Sequence, residues 1–372
     1  MTIRSRFRSF IAPTLASCPQ VMPWLNKADK YLDLLRHSLA RVVPQIIQAD
    51  PQSIFITLTA DCNLRCIGCN YGRTFMSGHV LSWPVVKEVL DDAKTLGIRG
   101  VRLYGGEPLL HPDLPRIVEY SVKLGLKTWV TTNGILLKKR IDDLYCAGLR
   151  QIDIGIYGVE KHYNAYVKRN NSFAQIEAGI AYTRERYGLN LNLNLGWVLM
   201  RPTCNLEAVA DIWQFGEQYA APIGVNLIHY SLPYFNEGPE GELQFNLEDR
   251  PEIEEVVAEL LRLKSLRPEM ITQSVLSLRS IPDWLLKKSE MKVPCDRYRL
   301  IWIGADGTVQ LCYVTFKLGN LHDKRLAELL FTPQHHRAAL DAFNLHCPNC
   351  HCGYDIRIEK HAQSRKLYGG EK

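Results

Sequence analysis

A β/α alternation that repeats six times between residues 53 and 266 constrains the fold of this 372-residue chain most strongly. Each unit has a short run rich in β-branched and apolar residues, then a loop, then apolar residues at helical spacing. The runs are Ile54–Leu58, Val101–Tyr104, Thr128–Thr132, Ile152–Tyr157, Leu191–Met200 and Val225–Tyr230. Strands that alternate with helices pair in parallel through right-handed crossovers. The sequence therefore predicts an α/β fold: a partial (β/α)6 barrel of the TIM type, with a doubly wound sheet as the alternative.

Three cysteines at C-x3-C-x2-C spacing follow the first run: Cys62, Cys66 and Cys69. In such barrels chemistry gathers on the loops at the C-terminal ends of the strands. Three close thiolates can hold an iron–sulfur cluster, and a cubane cluster with only three protein ligands keeps one iron open. Zinc prefers pairs of C-x2-C type or Cys/His pairs, and this spacing is neither. The loop therefore favours an iron–sulfur site with an open position.

The loops after the second and third runs carry two further motifs. The second run ends in Gly105-Gly106-Glu107-Pro108, and the third ends in Thr132-Asn133. Glycine lets a backbone approach a ligand closely, and a carboxylate can accept hydrogen bonds from an ammonium group. Both motifs are expected on the same rim as the cysteines.

Together, the cysteine loop and the Gly-Gly-Glu-Pro motif resemble those of radical S-adenosylmethionine (SAM) enzymes. The resemblance implies a [4Fe–4S] cluster on the three cysteines, with SAM bound to its open iron. SAM would be cleaved by one electron, from a flavodoxin- or ferredoxin-type donor, to a 5′-deoxyadenosyl radical that abstracts hydrogen from the substrate. By the same resemblance the residues that bind SAM are Gly105, Gly106, Glu107, Thr132 and Asn133. The family usually places an aromatic residue before the third cysteine, where this chain has Gly68, and Tyr71 is a candidate to take its place.

Five more cysteines lie near the C-terminus: Cys295, Cys312, Cys347, Cys350 and Cys352. A predicted hairpin of Leu300–Ile303 and Val309–Leu311 would bring the first two together. A closed four-thiolate site could hold zinc or iron–sulfur, and chemistry alone does not choose. The pattern Cys-x11-Gly-x4-Cys with a late cysteine group resembles the SPASM and shorter twitch extensions of radical SAM enzymes. That resemblance implies one auxiliary [4Fe–4S] cluster, held by Cys295, Cys312 and two of the last three, with Cys347 and Cys350 preferred.

These motifs divide the chain into three parts. Residues 1–50 are predicted to be a helical segment, because residues 27–47 carry apolar positions at helical spacing. We expect this helix to pack against the main domain. Residues 51–275 form the predicted radical SAM core, and residues 276–372 the predicted auxiliary-cluster domain.

Composition excludes several classes of protein. The chain is 46% apolar and 23% charged, which is typical of a globular protein. Its formal charge of +6 is mild for this length, so nucleic-acid binding is not expected. It has no run of about 18 uncharged apolar residues that would predict a membrane-spanning helix. The basic start, Met1 to Arg8, lacks the apolar core of a signal peptide. These observations predict a cytoplasmic protein without a membrane partner.

The sequence leaves the reaction open. Cys204 is a single thiol on a predicted rim loop. It is either an ordinary packed cysteine or a hydrogen-atom donor that would quench a substrate radical and invert a stereocentre. The first hypothesis is therefore a radical SAM enzyme that dehydrogenates or epimerises a small polar metabolite, anionic or sugar-like. The alternatives are a radical SAM enzyme that modifies a peptide and, in another class, a non-catalytic two-cluster electron-transfer protein.

Overall fold

The computed structural model describes residues 22–236, 241–312 and 315–370. Within them, one sheet runs in the order β6-β5-β4-β3-β2-β1-β7-β8-β9. Its strands are β1 Ser53–Thr59, β2 Gly100–Gly105, β3 Lys127–Thr132, β4 Gln151–Ile156, β5 Asn192–Leu199, β6 Ile223–Leu227, β7 Leu300–Ile303, β8 Thr308–Gln310 and β9 Lys317–Asn320. Strands β1 to β6 are parallel and lie in chain order. In a doubly wound sheet the strand order reverses at a switch point. Here the order of the six parallel strands does not reverse, which agrees with the predicted barrel.

Helices connect the parallel strands. In chain order the α-helices are α1 Met22–Leu39, α2 Trp83–Thr95, α3 Leu114–Lys123, α4 Leu137–Cys146, α5 Glu160–Val167, α6 Ser172–Tyr187, α7 Leu206–Gln218, α8 Arg250–Leu266, α9 Val275–Arg279, α10 Ile281–Lys287, α11 Leu326–Leu329, α12 Pro333–Phe343, α13 Tyr354–Lys360 and α14 Ala362–Tyr368. Helix α7 begins where Asn205 accepts a hydrogen bond from the Ala208 amide at 2.8 Å, as expected for an N-cap. Nowhere in the described residues does a helix combine the length and apolar character needed to cross a membrane.

The parallel strands surround a cavity of about 630 Å³ that we call the lumen. In β4 and β5 buried side chains alternate with partly exposed ones, because successive side chains point to opposite faces of a strand. The buried face packs in the main apolar core, whereas the other face lines the lumen. Each of the six strands contributes to that lining, through Phe55, Arg102, Thr131, Asp153, Asn194 and Asn226.

The sheet continues past the parallel units into the C-terminal region. Strand β7 pairs in parallel with β1, from Ser53 opposite Leu300 to Ile56 opposite Ile303. Strands β8 and β9 then extend the sheet as an antiparallel ribbon, and β9 was not predicted from the sequence. The sheet thus spans the expected boundary between residues 275 and 276, and the division into two domains stays a prediction.

Helix α1 contacts the rest of the chain through its polar side. Asp33 forms a bidentate ion pair with Arg299, at 2.9 and 3.0 Å, and His37 lies 3.1 Å from Asp296. The apolar positions that predicted a buried face are exposed instead, among them Tyr31, Leu32, Leu35 and Leu39. The helix therefore packs against the rest of the protein as expected. The packed face is the one that forms the ion pairs, and not the face with the apolar residues. Residues 1–21 of the predicted N-terminal segment lie outside the described residues.

Candidate active site

The three cysteines of the C-x3-C-x2-C motif lie together on the loop that leaves β1, and all three are partly exposed. Burial is the main cause that raises the pKa of the Cys62 thiol to about 11, with the negative charges of Glu107 and Cys69 adding to it. Burial also raises the pKa of Cys66, and the neighbouring Cys69 and Cys62 raise it further. Thiols that oppose each other's ionisation are stabilised as thiolates by a cationic centre between them. The set therefore fits the expected iron–sulfur cluster.

The glycines of the Gly-Gly-Glu-Pro motif let the loop after β2 lie directly against the cysteine loop. A Cβ atom at Gly105 would approach the Thr59 carbonyl oxygen to 2.5 Å, and one at Gly106 would approach the Asp61 oxygen to 2.3 Å. The two loops are joined by hydrogen bonds from the Gly106 amide to Thr59, at 2.8 Å, and from the Glu107 amide to Asp61, at 2.7 Å. The motif therefore supports the backbone that carries the cysteines.

Glu107 is fully buried between the loops after β2 and β3. Its carboxylate accepts hydrogen bonds from the Thr132 hydroxyl at 2.6 Å, the Asn133 amide at 2.8 Å and the Leu109 amide at 2.9 Å. Burial raises the pKa of Glu107 to about 7, although these three donors oppose the shift. The Glu107 carboxylate thus ties the loops after β2 and β3 together, while its role toward the SAM amino group stays a prediction.

Asn133 connects the third loop to the cysteine loop. Its side-chain amide donates to Asn63 Oδ1 at 2.8 Å and lies 3.8 Å from the Cys62 sulfur. The structure therefore brings all the residues predicted for SAM binding into one cluster around the thiols. Asn63 was not singled out from the sequence, although its position directly after Cys62 was a usable signal.

The placement of Tyr71 does not support its candidate role in place of the missing aromatic residue, and that role stays a prediction. Tyr71 is buried in an apolar cluster with Met76 and Trp302, and its hydroxyl oxygen accepts a hydrogen bond from the Ala305 amide at 3.4 Å. Tyr71 is also absent from the lining of the lumen, which includes Tyr157, Tyr166 and Phe235 near the cysteine loop.

Cys204 lies at the rim but not in the lumen. Its side chain is buried in the apolar core and is not among the residues that line the cavity. Burial raises the pKa of this thiol to about 12, and the charges of Asp249 and Glu252 add to the shift. The position is that of a packed cysteine, and the hydrogen-donor role stays a prediction without support from this placement.

All five C-terminal cysteines line one small cavity. Cys295 is buried, whereas Cys312, Cys347, Cys350 and Cys352 are partly buried. Buried Arg357 and half-buried Arg297 share the cavity, and none of the described residues that line it carries a carboxylate. A set of thiols next to cations fits an iron–sulfur cluster, whose net charge is negative when four thiolates hold it.

The last three cysteines differ in their surroundings. A hydrogen bond with Cys352 lowers the pKa of the Cys350 thiol to about 6, whereas the same contact is the main cause that raises the pKa of Cys352. The Cys352 sulfur also lies 3.2 Å from His229 Nε2. Cys352 and Arg297 line both the thiol cavity and the lumen, so they form the wall between the two spaces.

A site for a single metal ion has different requirements from a cluster site. In the described ranges no three His, Cys, Asp or Glu side chains converge closely enough to hold one metal ion. A four-iron cluster instead needs thiolates that surround a space, as the five C-terminal cysteines do around their cavity.

Two arginines beside the C-terminal cysteines were not predicted from the sequence. Arg357 is almost completely buried, and its guanidinium donates to the carbonyl oxygens of Cys350 and Val293 and to Asn349 Oδ1. Arg297 gave no signal beyond its place two residues after Cys295. At the C-terminal ends of β5 and β6, His229 lines the lumen, whereas Arg201 pairs outside it with Asp249 at 3.0 Å.

Comparison with known families matches both cysteine regions. Residues 56–199 match the radical SAM superfamily, and residues 295–352 match SPASM, an iron–sulfur cluster-binding domain. A probable GTP 3′,8-cyclase of Saccharolobus islandicus is 28% identical over 270 residues, which are 70% of this chain and 82% of that protein. A probable GTP 3′,8-cyclase of Methanococcus vannielii is 35% identical over 107 residues, 28% of this chain and 36% of that protein.

Solved structures share the fold. The enzyme anSMEcpe with bound AdoMet superposes with a TM-score of 0.61 at 17% identity and covers 86% of this chain and 92% of its own. SuiB of Streptococcus suis, bound to its precursor peptide SuiA, gives a TM-score of 0.62 at 16% identity and covers 88% and 78%. At these identities the likeness is one of fold.

Proposed function

The chain belongs to the radical SAM superfamily and carries a SPASM iron–sulfur domain, and we propose that it dehydrogenates a small polar metabolite held in the lumen. When bound, SAM and its cluster supply a 5′-deoxyadenosyl radical that abstracts hydrogen, and the auxiliary cluster supplies a one-electron acceptor. The residues of the chain hold the substrate between these two centres and exclude water from it.

The wall shared by the lumen and the thiol cavity carries this proposal. Arg297 and Cys352 line both spaces, and His229, in contact with Cys352, also lines the lumen. A substrate in the lumen would therefore be separated from the auxiliary cluster by one layer of side chains. Dehydrogenation needs such proximity, because the second electron must leave the substrate for an acceptor.

The polarity of the lumen supports a substrate rich in hydrogen-bonding groups. Asp153 accepts a hydrogen bond from Asn194 at 2.9 Å, and Arg102 donates to Thr131 at 2.8 Å. Three further amide side chains, Gln151, Asn226 and Gln273, line the lumen beside several tyrosines and two histidines. Amides both donate and accept hydrogen bonds, so hydroxyl and carbonyl groups would be bound well. We expect a sugar-like or nucleoside-like molecule, and the positive charge of Arg102 in the lining would favour an anionic one.

The comparisons favour a small substrate over a peptide. The relatives named as probable GTP 3′,8-cyclases act, by that name, on a nucleotide, and one of them matches 70% of this chain. SuiB binds a precursor peptide but resembles this chain in fold alone. Peptide modification therefore remains the second candidate for substrate class.

The surface around the cysteine loop supports the expected electron donor. Four exposed cations surround it: Arg65, Arg73, Lys168 and Arg169. Arg73 donates to the Cys66 carbonyl oxygen at 2.6 Å, and Arg169 donates to that of Asn63 at 3.3 Å. An acidic flavodoxin or ferredoxin would be attracted to this surface, and complementary charge speeds such encounters.

The test is an anaerobic assay of the reconstituted enzyme with SAM, dithionite and a panel of sugars, nucleotides including GTP, and peptides. We expect 5′-deoxyadenosine together with a product two mass units lighter than its substrate. In a Cys295→Ala variant, which lacks an auxiliary ligand, 5′-deoxyadenosine should still form while the oxidised product falls at least tenfold. A product of unchanged mass would contradict dehydrogenation.

Cys204→Ala is the matched thiol variant. Dehydrogenation predicts unchanged turnover, whereas epimerisation through this thiol predicts loss of the inverted product. An absence of 5′-deoxyadenosine with every substrate and reductant would favour the two-cluster electron-transfer protein.

A further inference from the structure

The segment that follows β6 is bonded to the cysteine loop. The Asn70 amide donates to the Tyr234 carbonyl oxygen at 2.7 Å, and the Asn236 amide donates to that of Gly68 at 2.8 Å. Between them, Cys69 and Phe235 pair as an antiparallel bridge. Because four strands separate β6 from β1 in the sheet, this contact crosses the mouth of the lumen beside the thiols.

Phe235 fills the space that a side chain at position 68 would occupy. A Cβ atom at Gly68 would lie 2.8 Å from Phe235 Cε2 and 2.9 Å from Cζ. Gly68 also has a φ of +75°, a backbone conformation that residues with a side chain rarely adopt. The loop thus cannot carry its own aromatic residue here without moving Phe235. Phe235 is partly buried and lines the lumen with Leu232 and Tyr234.

We propose that Phe235 is the residue that packs against the adenine of SAM, so that the segment after β6 supplies the ring that Gly68 lacks. If SAM were held at the open iron through its methionine part, its adenosyl part would extend into the lumen beside the cysteine loop. The Phe235 ring stands at that place, directly against the residue before Cys69. An aromatic side chain stacks on a base of any kind and binds it without hydrogen bonds. The inference rests on SAM binding alone and not on the reaction that follows.

The experiment measures ligand binding to the reconstituted, reduced protein through the change in the electron paramagnetic resonance signal of its SAM-binding cluster. The two probes are SAM and S-methyl-L-methionine, which keeps the amino, carboxylate and sulfonium groups but has no adenosine. The variants are Phe235→Ala, Phe235→Leu and Phe235→Tyr. Phe75→Leu is the matched control, because Phe75 packs on Tyr71 and Tyr234 at the same loop but does not line the lumen.

We expect Phe235→Ala and Phe235→Leu to raise the Kd for SAM roughly tenfold or more, with iron content and the Kd for S-methyl-L-methionine unchanged. Phe235→Tyr and Phe75→Leu should bind SAM within about threefold of the unaltered protein. Full SAM affinity in Phe235→Leu would overturn the proposal, because leucine restores volume but not stacking. Equal loss of both ligands together with lost iron would also overturn it, because the ring would then only support the loop.

Discussion

The two groups of cysteines in this protein are built in opposite ways. Cys62, Cys66 and Cys69 stand within eight consecutive residues on one partly exposed loop, whereas the five C-terminal cysteines come from separate segments around a cavity. Even the arginine that supports each group differs: exposed Arg73 donates to the Cys66 carbonyl oxygen, and buried Arg357 donates to that of Cys350. The first site is encoded locally, while the second exists only when the C-terminal region has folded.

The largest effect on activity is expected from a change in the first group of cysteines, Cys62, Cys66 and Cys69. Cys66→Ala should abolish 5′-deoxyadenosine formation and remove about four irons per chain, while the auxiliary cluster and the fold persist. Iron analysis, electron paramagnetic resonance and product analysis measure this. Cys146→Ala, at an exposed thiol on α4, is the control. Radical formation by Cys66→Ala would contradict the cluster assignment.

The second prediction sharpens the choice among the auxiliary thiols. Because Cys352 also lines the lumen and its sulfur lies 3.2 Å from His229 Nε2, we expect it to be the spare thiol. Single alanine variants at Cys295, Cys312, Cys347 and Cys350 should each lose the auxiliary irons. Cys352→Ala should retain about eight irons per chain. Loss of four irons in Cys352→Ala, with full retention in Cys347→Ala or Cys350→Ala, would reverse the assignment.

The third prediction compares the two arginines. Arg357→Ala leaves buried carbonyl and amide oxygens without their donor, so we expect a loss of about 3 kcal/mol in the free energy of unfolding, together with the auxiliary cluster. Arg73→Ala removes an exposed hydrogen bond and should cost less than about 1 kcal/mol. Denaturant unfolding of the two variants measures both. Equal effects would show that burial does not distinguish the sites.

The smallest effect concerns the pH dependence of Glu107. Burial raises its pKa to about 7 in the folded protein, so the folded state binds this proton more tightly than the unfolded state. The resulting stabilisation is full below the ordinary glutamate pKa and is lost as the pH rises through about 7. Glu107→Gln should remove this slope and also cost about 1–3 kcal/mol at all pH values, because its amide cannot accept the Asn133 hydrogen bond. Unfolding at several pH values tests this, with exposed Glu119→Gln as control; a slope unchanged by Glu107→Gln would contradict it.

Sequence reasoning succeeded where the information was local. The six parallel strands, the grouping of Cys62, Cys66 and Cys69 on the loop after β1 and the loop positions of Gly105 to Glu107 follow from short runs and spacings. Strand β9 was missed because Lys317-Leu-Gly-Asn320 is short, contains glycine and lacks a clear alternation. The prediction of which face of α1 is packed was wrong, because the spacing of apolar residues carries no information about ion pairs such as that of Asp33 with Arg299.

Contacts between distant segments account for what could not be predicted. The contact between Phe235 and Gly68 depends on the position of the edge strand β6 relative to β1. The sharing of Arg297 and Cys352 between two cavities depends on the packing of the C-terminal region against the lumen. Neither relation leaves a pattern in the sequence itself.

The pairing of β7 with β1 has a consequence for biosynthesis. Strand β1 leaves the ribosome early, but its outer neighbour is translated only after all six β/α units. Until then the nascent chain displays an unpaired edge of apolar residues, the kind of surface on which chains associate wrongly. Expression of residues 51–275 alone should therefore yield aggregates, and co-expression with the missing C-terminal part should rescue part of the material.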